Sequence, residues 1–185
     1  MPQTFDFPDR LQARLAMLAI GRSTLRSQGA AGMVDHARKF LRALELQQFS
    51  LKSSKNFARV LETQTQLLAD SFPEGGKGNW GAARKSINIF LRDAVYCRPL
   101  CIQFKLETLE PWLELPLDSN SYAGLLEDTS DASQLPPWPG IKNLTPLISR
   151  ELQTIANSVA KTLGAPRVHL DVRYWRRGQI DNLAG

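Results

Sequence analysis

The chain has 185 residues, 43% of them hydrophobic, enough for one good core and short for two independent ones. Its 23 Lys and Arg against 18 Asp and Glu leave a net charge of +5, which favours an anionic partner or substrate. Cys97 and Cys101 lie far in sequence from the two histidines, His36 and His169, so a zinc centre or a four-cysteine cluster lacks ligands, and no run approaches the roughly 20 apolar residues of a membrane span.

Taken in order, residues 9–28 place Leu11, Leu15, Leu18 and Leu25 at helical spacing with arginines between them, closed by Gln28-Gly29. Residues 31–48 repeat the pattern through Val34, Ala37, Leu41, Leu44 and Leu46, and residues 53–71 through Phe57, Val60, Leu61, Gln64, Leu67 and Leu68. The glycine-rich run Phe72 to Asn79 then feeds a helix from about Trp80 to Tyr96, which Pro99 is expected to end. Cys97 and Cys101, one turn apart, read as small apolar packing groups or as a redox pair.

A short helical piece is expected near Leu106 to Trp112. Pro116 then bars helix, and Asp118 or Ser119 can cap the next one. Pro136, Pro137, Pro139 and Gly140 within five positions mark a loop. A long helix is predicted over residues 144–163, stopped by Gly164; Pro166 to Trp175 suits a helix or a strand, with helix preferred. The expectation is an all-α protein, one domain over residues 1–185, of two lobes, cytoplasmic and without cofactor, metal or membrane.

Gly75 to Lys85 puts small residues before and at a helix start, where backbone N–H groups and the helix dipole suit a phosphate. The glycine, lysine and hydroxyl spacing does not fit a Walker motif. Lys85, one turn into the helix, reads as a solvated surface residue or as an amine nucleophile, and Asp118 as a helix cap or an acid–base partner.

Gly81-Ala82-Ala83-Arg84-Lys85 followed by an apolar helix resembles the Gly-x-Gly-x-Lys hairpin of helix-hairpin-helix DNA glycosylases, and Leu115-Pro116-Leu117-Asp118-Ser119-Asn120 resembles their loop carrying the catalytic aspartate. The offset of 33 from Lys85 to Asp118 is similar to that of the archaeal 8-oxoguanine glycosylase branch. Asp171 and Trp175 resemble the Asp-x-x-x-Trp pair with which that branch holds the extruded base. Ala83 stands where the hairpin has its second glycine, and no N-terminal tryptophan supplies a second wall opposite Trp80.

The resemblance implies a monomeric, bifunctional glycosylase and abasic-site lyase acting on DNA with an extruded base, an 8-oxoguanine-like purine. On that resemblance Lys85 would be the nucleophile and Asp118 its partner. Asp171 and Trp175 would hold the base, and Lys77, Trp80, Gly81, Ala83 and Arg84 would hold phosphate, with Arg176 and Arg177 as further candidates. Trp112 and Trp138 read as packing residues. The competing readings are a non-catalytic hairpin that binds DNA and a basic helical interaction module.

Overall fold

The apolar periodicity becomes helices throughout. A computed structural model describes residues 6–50 and 52–175, and all regular structure among these is helical. The α-helices are α1 (Phe7–Ala19), α2 (Met33–Ala43), α3 (Ser54–Ser71), α4 (Trp80–Tyr96), α5 (Arg98–Phe104), α6 (Ser119–Asp128), α7 (Pro146–Thr162) and α8 (Leu170–Tyr174), with short 3-10 turns between several of them. None is long and apolar enough to cross a membrane.

Local chemistry accounts for most boundaries. Ser53 caps α3 by accepting from Asn56 N, Asn79 caps α4 by accepting from Ala82 N, and Thr145 caps α7 by accepting from Ile148 N. Pro99 does not simply terminate a helix. It occupies the first turn of α5, where its missing N–H costs nothing, after α4 has closed at Tyr96. Pro166 to Trp175 is helical, a 3-10 turn running into α8.

The N-terminal expectation is corrected. α1 stops at Ala19, because Thr24 Oγ1 accepts from Gly21 N and donates to the Ala19 carbonyl, closing a turn that competes with further helix. Its fully buried positions are Gln12, Ala16, Ala19 and Ile20; of the leucine stripe, Leu15 packs partly buried against the core, Leu25 is buried beyond the helix, and Leu18 is largely exposed. Gln12 Nε2 reaches the carbonyls of Leu41, Arg42 and Leu44 at 2.8–3.1 Å, satisfying the acceptors at the end of α2. α2 likewise ends at Ala43, and only one 3-10 turn, Glu110–Trp112, forms where a longer helical piece was expected.

The buried apolar residues form two clusters. One gathers α1 to α4 with Cys101, Leu106, Leu109, Leu113 and Val168; the other gathers Leu115, Leu117, Leu135 and Leu144 with α6, α7 and α8. α4 belongs to the first except at Trp80, which belongs to the second. The chain passes between clusters over Leu113, Glu114 and Leu115, so an acidic side chain sits at the seam. Two glycines permit close approach there and beyond: a Cβ on Gly124 would strike the Tyr174 ring, and one on Gly81 would strike the Ile141 carbonyl oxygen and lie 2.9 Å from Leu144 Cβ.

Because the Ile141 obstacle is backbone, Gly81→Ala should destabilise the protein by about 1–3 kcal/mol, the usual range for overpacking. The expected readout is a lower denaturant midpoint at unchanged slope; a midpoint equal to that of the parent protein would refute the close approach.

Candidate active site

Lys85 and Asp118 meet. Lys85 projects from the second turn of α4, and its Nζ lies 3.0 Å from Asp118 Oδ2; the side chains are 9% and 29% exposed. Asp118 is the N-cap of α6 within a capping box. Its Oδ1 accepts from Asn120 N (2.9 Å) and Ser121 N (3.0 Å), while Ser121 Oγ accepts from Asp118 N (2.8 Å). One carboxylate oxygen therefore fixes the side chain and the other faces the amine. Asp118 thus caps α6 and at the same time faces Lys85.

The loop leading to Asp118 is held from two sides. Gln153 on α7 accepts from Leu115 N at 3.0 Å and donates to the Leu115 carbonyl at 2.7 Å. Arg167 donates through Nε and Nη2 to the carbonyls of Leu113 and Trp112, each at 2.9 Å. Such fixing lets a short loop hold a carboxylate in one orientation.

The set expected to bind phosphate is largely corrected. Trp80, Gly81, Ala83 and Arg84 are buried. Of the first N–H groups of α4, Trp80 N donates to the Gly78 carbonyl, Ala82 N to Asn79 Oδ1 and Ala83 N to the Asn79 carbonyl, while Gly81 packs against Ile141. The turn is closed on itself. Lys77, by contrast, is exposed on the glycine-rich loop.

Arg84 is a structural cation. Its Nε and Nη2 form a fork with the two oxygens of Glu114 at 2.8 and 2.9 Å, and its Nη1 reaches Glu62 and Thr65, both at 3.1 Å. The guanidinium also lies over the Trp80 ring, 5.1 Å from its centroid, while Trp80 Nε1 donates to Glu62. Burial pushes the Glu114 carboxyl up, but Arg84, Arg167 and a hydrogen bond from Asn88 outweigh it and hold the group below the usual carboxylate range.

Asp171 pairs with Arg92, which also contacts Asp93. Burial raises the Asp93 carboxyl above its ordinary value against the pull of Arg92. Arg92 is seven residues after Lys85, so the two share a face of α4 about 10 Å apart along its axis. Asp171 is thereby placed on the Lys85 side of that helix. Trp175 follows α8 and is 54% exposed. Arg176 and Arg177 lie outside the described residues.

Trp112 and Trp138 pack, the first near Phe57 at 6.3 Å and the second stacked on Tyr122 at 5.6 Å. Cys97 and Cys101 are both free thiols, and burial pushes that of Cys101 up. Glu114 and Arg92 went unrecognised in the sequence. A charge between two leucines, and an arginine two turns from the candidate lysine, were the available signals.

Compared with family models, curated proteins and solved structures, the chain matches none.

Glu114→Gln should lower stability at neutral pH by roughly 3 kcal/mol, the low end for breaking a buried pair, since Arg84 retains Glu62. Because the folded carboxyl titrates below its unfolded value, its contribution is full above about pH 4.3 and is lost as the pH falls through the folded value. The variant should therefore converge on the parent in acid. A stability difference independent of pH would refute the ion-pair account.

Proposed function

We propose that the chain is a helix-hairpin-helix DNA glycosylase with abasic-site lyase activity, excising an 8-oxoguanine-like purine through a Schiff base on Lys85. The observation that carries this reading is the 3.0 Å approach of Lys85 Nζ to the uncapped oxygen of Asp118. The α3, glycine-rich turn and α4 sequence is compatible with a hairpin, and Asp171 on the Lys85 side of α4 suits a base-holding role.

The glycosidic bond is shielded in a duplex, so the nucleotide must first leave the stack at a cost of about a few kcal/mol. Lys85 Nζ forms a bond to C1′ as the bond from C1′ to the base nitrogen breaks, and the base takes the bonding electrons. Asp118 accepts the proton that the amine sheds, and its negative charge favours positive charge developing on the sugar. Opening of the sugar ring gives the imine, which withdraws electrons so that loss of the C2′ proton expels the 3′ phosphate.

Asp171 accepts hydrogen bonds from the base edge, in place of its contact with Arg92, and Trp175 stacks on the base face. Lys77 contacts the DNA backbone. The protein acts as a monomer on DNA and needs no cofactor.

Borohydride reduction with duplexes carrying an oxidised purine or an abasic site should give a covalent adduct. Lys85→Gln should abolish it while leaving duplex affinity nearly intact; an undiminished adduct in that variant would remove Lys85 from the chemistry. Asp118→Asn should slow base release at least about a hundredfold, as expected for loss of an acid–base group. A rate within a few-fold of the parent would exclude that role. Salt-sensitive duplex binding without any adduct would instead establish a binding module.

A further inference from the structure

A cavity of about 450 Å³ lies between α3, the start of α4 and α7, and it is lined by neither Lys85 nor Asp118. Its polar wall comes from the first turns of α7, where Ser149 and Arg150 face it, and from Arg167. Trp80 supplies an aromatic surface.

Ser149 is 2% exposed, lines the cavity, and makes no side-chain hydrogen bond to another described residue. Because that hydroxyl opens into the cavity, it can donate to an atom bound there. Arg150 has no ion pair or side-chain hydrogen bond among the described residues, although its backbone carbonyl accepts from Thr154. Arg167 uses Nε and Nη2 on two neutral carbonyls, leaving Nη1. The positive end of the α7 dipole adds to these donors.

The carboxylates in the lining, Glu62 and Glu114, are engaged by Arg84, and Glu114 also by Asn88. Counting Arg84, Arg150 and Arg167 against these two, the wall retains one positive charge. Three donor groups, two of them guanidinium, suit the three terminal oxygens of a phosphate better than the two oxygens of a carboxylate. The volume admits a small molecule carrying that phosphate.

We propose that this cavity binds a phosphate group, as the free ion or carried by a small phosphomonoester, held by Arg150, the Ser149 hydroxyl and Arg167 Nη1. The site is separate from Lys85 and Asp118, and the inference does not rest on the glycosylase reading.

The test is calorimetric titration of the full chain with inorganic phosphate, a nucleoside 5′-monophosphate and the corresponding nucleoside, with amide chemical-shift mapping. Both phosphates should bind at millimolar concentration or below and shift the amides of the first turns of α7, while the nucleoside should not. A preference for the nucleotide would identify an organic phosphate as the ligand, and equal affinity would identify the free ion; either agrees with the proposal. Arg150→Ala and Ser149→Ala should each fold and together weaken binding about tenfold or more. Absence of binding by either phosphate, undiminished affinity in the double variant, or nucleoside binding as tight as nucleotide would overturn it. Borohydride trapping of the Arg150→Ala protein should match that of the parent, so that loss of the phosphate site and loss of Lys85 chemistry read out separately.

Discussion

The fork between Arg84 and Glu114 is the contact on which the rest of the arrangement depends. It joins α4, rooted in one apolar cluster, to the segment where the chain crosses into the other. Taking two charges out of water is costly, and a pair like this adds little net stability unless its remaining hydrogen-bonding capacity is met. Here it is met: Asn88 donates to Glu114, while Glu62 and Thr65 accept from Arg84. The gain is register. Residues 113–118 have one satisfactory position against α4, because any slip strands a buried ion.

That register delivers the neighbouring pair. Lys85 follows Arg84 by one residue and Asp118 follows Glu114 by four, so placing the first pair brings the second within reach. The capping box then decides which oxygen of Asp118 meets the amine, since the other accepts two backbone N–H groups. A carboxylate held by its own backbone can face a lysine without further side chains to steer it. The same face of α4 carries Arg92 two turns on, and through it Asp171, so one rigid helix organises three elements that are distant in sequence.

The glycine-rich approach to α4 has a different physical meaning from the one its composition suggests. Small residues at a helix start can expose N–H groups to an anion, but they also let another segment pack closely. At Gly81 the second use prevails, because the Ile141 carbonyl occupies the space a side chain would need. Asn79 strengthens the closure by capping α4 while donating to the Gln28 carbonyl at 2.7 Å. The start of α7 presents the contrasting case, with a hydroxyl and an arginine both facing open volume.

Much of the fold was legible because it is local. Apolar spacing located α3 and α7, the glycine-rich run before Trp80 placed the start of α4, and the proline and aspartate before Ser119 placed that of α6, since caps, breaks and helical periodicity are properties of a few consecutive residues. The face that α1 buries was not legible: its leucines show the right period, yet Gln12 and alanines pack inward because the end of α2 presents carbonyls needing a donor. Lys85 and Asp118 could be named as candidates from their local settings and their resemblance to known motifs, but their meeting depends on an ion pair 30 residues apart in sequence. The same long-range pairing turned Arg84 from a candidate phosphate ligand into a buried strut. By itself the amino-acid order determined most of the helices, the cap before α6 and a short set of candidate residues, all set by near neighbours. Tertiary structure alone decided which charges are consumed in holding the two clusters together and which face open space, because burial and pairing belong to partners that sequence proximity does not reveal.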